Sequence, residues 1–124
     1  MEETRKPVLV ELANMLANSW RDPGNLVNVD SLFFPLNRVE AYFAQDCMYE
    51  ELQQGVVGWK VGATSARMRE LDGHEDVIPG RIFQSRSYFG AHHNLPIKYF
   101  PGARAEAEFA FQLTAKPHLR QTPW

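Results

Sequence analysis

The apolar residues of this chain change their stride at Val56, and that change constrains the fold more than any other feature. Upstream, Leu9, Leu12, Leu16 and Trp20 fall three or four apart, which makes one stripe on a helix. Downstream, Val57, Trp59 and Val61 alternate with Gly58, Lys60 and Gly62, the two-residue stride of a strand. An α+β chain follows, helical first and β-rich second. We read residues 1–55 as a helical segment and 56–124 as a partial β-rich domain.

Local signals place the elements. The first helix runs from Pro7 to Trp20 and stops at Arg21-Asp22-Pro23-Gly24-Asn25, where proline and glycine both punctuate. Asn37 with Glu40 three residues later resembles a capping box and opens a second helix. Its expected apolar face is Val39, Tyr42, Phe43 and Cys47, and it ends near Gly55. Beyond the strand, Thr64 or Ser65 caps a short helix carrying Met68 and Leu71, closed by Gly73. Val77-Ile78-Pro79-Gly80 reads as a turn, Arg81-Ile82-Phe83 as a short strand, and residues 84–104 as loops and short strands.

Composition excludes several classes. With 44% hydrophobic and 23% charged residues, the chain is no disordered polyelectrolyte. Thirteen Lys and Arg against fifteen Asp and Glu leave no surplus positive charge to displace counterions, which argues against nucleic acid as a partner. Cys47 stands alone, so neither an intrachain disulfide nor a cysteine zinc cluster can form. No apolar run approaches a membrane span, and Met1-Glu2-Glu3 lacks the basic start of a secretory leader. A cytoplasmic protein is the expectation, with no membrane partner.

Two features can carry chemistry. In Ala105-Glu106-Ala107-Glu108-Phe109-Ala110-Phe111-Gln112-Leu113, a helix would put Phe109 and Phe111 on different sides, whereas a strand puts Ala105, Ala107, Phe109, Phe111 and Leu113 on one face. The other face then holds Glu106 and Glu108, about 6–7 Å apart along the strand. Such a pair can converge on a hard divalent cation, but by spacing alone it is a weak motif and reads first as a solvated strand face. Lys60 is the second feature. Gly58 and Gly62 leave room beside its ammonium for a small molecule, and the same glycines also suit an ordinary edge-strand lysine beside a bulge. His74, His92, His93 and His118 lack the spacing of a helical metal motif and read as surface loop residues, while Cys47 reads as packing. Neither a phosphate-cradling G-x-x-x-x-G-K-[ST] loop nor a G-x-S-x-G nucleophile elbow occurs.

Four segments, in order, resemble one family. Ala41-Tyr42-Phe43-Ala44-Gln45 is similar to the A-Y-x-x-Q of a helix in the 2-oxopent-4-enoate hydratase group. Val57-Gly58-Trp59-Lys60-Val61-Gly62-Ala63-Thr64-Ser65 resembles that group's G-x-K-[VI]-G-x-T-S strand and turn. Pro79-Gly80-Arg81-Ile82-Phe83 resembles its G-x-[LI]-F turn, and Arg104 to Phe111 its E-A-E strand. The wider group is the fumarylacetoacetate-hydrolase-like superfamily.

The resemblance implies the first part of a mixed β-rich roll of the fumarylacetoacetase C-terminal-domain type. It implies magnesium or manganese held by Glu106 and Glu108, with Lys60 as the active-site lysine. The implied reaction adds water to a small 2-oxo-alkenoate in aromatic-compound breakdown. A sister decarboxylation, an acylpyruvate hydrolysis or a truncated non-catalytic member are the alternatives. The family's third carboxylate has no counterpart, since residues 109–124 hold no Asp or Glu, and Ile78 replaces a common acid near which Asp76 is the closest substitute. The family domain is about twice as long, so the chain reads as its N-terminal half. A sheet cut at that point exposes Phe109, Phe111 and Leu113, and a homo-oligomer is expected.

Overall fold

In the computed structural model, residues 1–24, 26–100 and 102–115 are described. Helix α1 spans Lys6–Arg21 and α2 spans Arg38–Leu52. Pro7 falls in the first turn of α1, where a missing N–H forfeits no helical bond. The helices meet over Leu9, Leu12 and Ala44, with Val29, Phe33 and Phe43 packed against them. Ala13 and Ala17 are fully buried, and Leu16 lies at the exposed margin instead.

The capping signal before α2 is half realised. Asn37 Oδ1 accepts the Glu40 N–H at 3.0 Å. The Glu40 carboxylate does not return to Asn37; it accepts the Leu36 N–H at 3.0 Å and the Arg5 guanidinium at 3.1 and 3.3 Å. Arg5 also donates to the carbonyls of Leu32 and Phe34. One carboxylate, only 3% exposed, thus ties the chain's first turn and the 30–36 loop to α2. It also shifts the expected face of α2: Phe43 packs on the core and Tyr42 and Cys47 are half-buried as that face requires, but Val39 is exposed and the buried residues are Glu40, Ala44 and Leu52. A glutamate counts as polar in any pattern, yet here a guanidinium and an N–H satisfy it inside.

Strand β1, Val56–Gly62, pairs antiparallel with β2, Ile78–Phe83. Trp59 lies opposite Arg81, Lys60 opposite Gly80 and Val61 opposite Pro79, with an irregularity between Val56 and Gly58. Helix α3, Ala66–Asp72, bridges the strands. Ser65 Oγ accepts the Met68 N–H, and Gly73, at φ 69°, closes the helix in the left-handed conformation. The expected turn at Val77–Gly80 is corrected: Ile78, Pro79 and Gly80 belong to β2. A two-stranded sheet is all edge, and edges tolerate proline.

Residues 84–100 and 102–104 form loops with single 3₁₀ turns at Gln84–Arg86 and Ile97–Tyr99. The strand expected over Arg104–Leu113 is also corrected: this stretch belongs to no ladder among the described residues. Alternation creates two faces, but a strand exists only when another strand pairs with it. The fold is therefore α+β, helices followed by a two-stranded antiparallel sheet.

Phe83 seats that sheet on the helices. It is buried with Ala17 and Leu52, meets Trp20 edge-on at 5.2 Å and stacks on Tyr49 at 6.4 Å. The next residue, Gln84, donates its N–H to Gly55 O at 2.8 Å, so the chain passes closely over Gly55. A Cβ on Gly55 would lie 2.9 Å from Gln84 Oε1.

Phe83→Ala should cost about 3–5 kcal/mol in urea unfolding, the range for truncating a buried aromatic. Glu40 supplies a pH test. The Arg5 guanidinium and then the Leu36 N–H hold its carboxyl below the ordinary value of 4.5, with burial opposing. Its stabilisation is complete above that ordinary value and is lost as pH falls through the lowered one. Glu40→Gln should lower Tm by roughly 4–8 °C at pH 7 and less at pH 3, read by circular dichroism melts.

Candidate functional site

Lys60 stands in the middle of β1 on a nearly bare patch. Gly58 and Gly62 flank it along the strand, and Gly80 faces it across the ladder. A Cβ placed on Gly80 would meet nothing within 4 Å. Two of these three glycines were legible in the sequence as neighbours of Lys60. The third came only with the register, because Gly80 read as part of a turn.

The ammonium occupies a specific place. Lys60 Nζ donates to Glu108 Oε1 at 2.5 Å and to Glu106 Oε2 at 3.0 Å, across 48 and 46 residues of sequence. Both carboxylates reach the same atom, so their oxygens are no farther apart than those two bonds laid end to end. Both contacts come from residues two apart, in a stretch that belongs to no ladder among the described residues. Glu108 first, then Glu106, pushes the lysine above its ordinary value, and slight burial opposes them. Lys60 and Glu108 are about half exposed and Glu106 more so, which leaves the cluster open to water.

The opposite side of the sheet explains where Lys60 points. Arg81, across from Trp59, lies over the Trp59 ring at 5.2 Å and over Tyr49 of α2 at 4.7 Å. It donates to Asp46 Oδ1 at 2.5 Å and to Gln45 Oε1 at 3.2 Å. This stack holds the Trp59 face toward α2 and leaves the Lys60 face away from it. Trp59 and Val61 were expected to point into the core; instead Trp59 is 55% exposed and Val61 also lies on the surface. Two strands offer too little sheet to cover a face, and a guanidinium takes the place of apolar packing. Sequence reasoning missed Arg81, although a lone arginine between Gly80 and Ile82 in an apolar run was a visible signal.

The turn after β1 is also held. Ala63 adopts a left-handed φ of 54°, unusual for a residue with a side chain. Arg69 Nη1 donates to the carbonyls of Ala63 and Thr64 at 3.0 and 3.1 Å. The four segments singled out in the sequence therefore touch in series: Gln45 meets Arg81, Arg81 covers Trp59, and Lys60 meets Glu106 and Glu108.

The remaining candidates stay apart. Asp76 is exposed and accepts the Val77 N–H, its own neighbour. His74, His92 and His93 are exposed, and His118 lies outside the described residues. Cys47 is half-buried, with burial and Asp46 pushing its thiol up, so it packs rather than reacts. Hollows beside Arg5 and Glu40 and between α1 and α2 at Leu12, Leu16 and Met48 lie away from Lys60.

As a donor set, Glu106 and Glu108 fit a hard divalent cation in chemistry and in convergence. They fall short in number, since such ions take six or more oxygens and no third His, Cys, Asp or Glu joins them among the described residues. The ammonium stands at the point the two carboxylates share. No protein-family model, curated protein or solved structure matches this chain.

Exposed ion pairs contribute little to stability, because water and salt screen them. Lys60→Met should therefore move Tm by less than about 2 °C in low salt and leave it unmoved in high salt, where thermal melts would detect any larger role.

Proposed function

We propose that the Lys60–Glu106–Glu108 cluster is part of the site of a divalent-metal-dependent hydratase acting on a small 2-oxo-alkenoate such as 2-oxopent-4-enoate. On this reading the chain is a member of the fumarylacetoacetate-hydrolase-like superfamily, built on that family's β-rich roll. The observation that carries the proposal is the meeting of one lysine with two carboxylates that lie 46 and 48 residues away. These are the three residues to which the sequence resemblance assigns chemistry. The series of contacts joining all four resembling segments supports it further.

Glu106 and Glu108 would hold magnesium or manganese, which supplies Lewis-acid polarisation of a 2-oxo group when bound. The chain's own residues do the rest. Gly58, Gly62 and Gly80 leave a shallow floor on which a flat, short 2-oxo acid can lie beside Lys60. The Lys60 ammonium sets a compact positive charge against the substrate's carboxylate or the negative charge that develops on its oxygen. From the same atom it can hand over or take up a proton as water adds. The Arg81 stack is a positioning device, since it sets which face of β1 carries the lysine.

A second reading is a non-catalytic member that keeps the cluster as a surface ion pair. The absence of a third metal-binding side chain near the pair, among the described residues, favours it.

Manganese titration followed by electron paramagnetic resonance should show weak binding, about 10⁻⁴–10⁻³ M for so few carboxylates. Glu106→Gln with Glu108→Gln should abolish that binding and leave the helical circular dichroism intact. Lys60→Met should tighten it several-fold, because the competing ammonium is gone. The same substitution should slow magnesium-dependent loss of the conjugated dienol's absorbance by about 10²–10⁴-fold. Binding indifferent to both glutamates would sink the metal assignment, and binding without turnover would select the non-catalytic reading.

A further inference from the structure

We propose that Lys60 is a built-in counter-ion: it holds the Glu106–Glu108 pair until it yields them to a divalent cation, and only then turns to an anionic substrate. It rests on the metal reading and adds to it an order of binding, metal before 2-oxo acid. Lys60 Nζ donates to Glu108 Oε1 at 2.5 Å and to Glu106 Oε2 at 3.0 Å, so one ammonium stands where two carboxylates converge. An ammonium is a compact charge whose three donors turn to suit their acceptors, and it fills such a point much as a small cation does. Lone pairs engaged by the lysine are the ones a metal ion needs, and the two cations therefore compete. Lys60 is 49% exposed, Glu108 52% and Glu106 72%, so the exchange requires no opening of the core.

The released ammonium has room to move. Gly58 and Gly62 flank Lys60 along β1, and Gly80 lies opposite it in the ladder. A Cβ on Gly80 would meet nothing within 4 Å, and on Gly58 or Gly62 the nearest atom would be 3.7 Å away. No side chain from these three positions stands in the path of the long, flexible lysine stem.

Charge sets the order. One ammonium between two carboxylates leaves the cluster with a net negative charge, which repels a 2-oxo acid, itself an anion. With a divalent cation added, the sign reverses to positive. The carboxylates are then neutralised by the metal, and the ammonium is left to pair with the carboxylate of the substrate. Lys60 thus withholds itself from substrate in one state and offers itself in the other, and the metal selects between them through its preference for the second.

Zero-length carbodiimide coupling, which joins an amine to a carboxylate in contact with it, reads the exchange directly. In the metal-free chain, mass spectrometry should find Lys60 joined to Glu108 or Glu106. Saturating manganese should cut that product about tenfold. The Lys6–Glu3 pair, at 2.7 Å, is the internal standard and should couple equally with and without metal. A second arm uses no metal and takes pyruvate, a short 2-oxo acid, as the probe. Glu106→Gln with Glu108→Gln should bind it about tenfold more tightly than the wild type in a nuclear magnetic resonance titration, and adding Lys60→Met should remove the gain. Manganese that binds yet leaves the Lys60 product undiminished would overturn the exchange while the metal reading stands. Absence of that product from the metal-free chain, or equal pyruvate binding by the wild type and the double variant, would overturn it too. Manganese binding to neither the wild type nor Lys60→Met would remove the metal reading and the exchange with it.

Discussion

The burial of Phe83 is the contact on which the rest of this structure turns. Neither strand reaches the helical core by any other large side chain that is fully covered. Phe83 enters between α1 and α2, against Ala17 and Leu52, and finds Trp20 and Tyr49 at its ring. Because it ends β2, its placement positions that strand, and the antiparallel register then positions β1. Arg81, two residues earlier, lies over Tyr49 and Trp59 and sets how the sheet rolls against α2. Lys60 is carried to the far side as a consequence. The geometry of the candidate site thus begins with one phenylalanine at some remove from it.

Two ion pairs in this chain show how environment divides the same chemistry into different roles. Arg5 and Glu40 meet with the carboxylate buried, and three further backbone groups join them, from Leu32, Phe34 and Leu36. Breaking that contact would leave an unsatisfied charge inside, so it acts as a structural clamp. Lys60, Glu106 and Glu108 meet in the open, on glycine-lined backbone. Water screens them, little is lost when they separate, and the carboxylates are free to exchange one cation for another. On the proposed reading, an exchangeable cluster beside an open floor would let a metal and a small acid in. A clamp could not serve.

The segment that carries the two glutamates belongs to no ladder among the described residues. One of its sides is tied to Lys60 and the other shows large apolar groups to water.

Much of the fold was legible along the chain. The two helices, the first strand, Ser65 as a cap and Gly73 as a stop follow from periodicity and local backbone chemistry, which act within a few residues. Glu106 and Glu108 were legible as candidates two residues apart, and both meet Lys60, although the strand expected to carry them is in no ladder among the described residues. What tertiary structure decided involves partners distant in sequence. Glu40 went inside only because Arg5 came to meet it. Pro79 and Gly80 became strand only because β1 lay beside them, and Arg104–Leu113 stayed outside any ladder among the described residues because no strand there paired with it. The meeting of Lys60 with both glutamates belongs to the same class. Local pattern specifies which way a side chain leaves the backbone, and only the packing of distant segments determines what it meets.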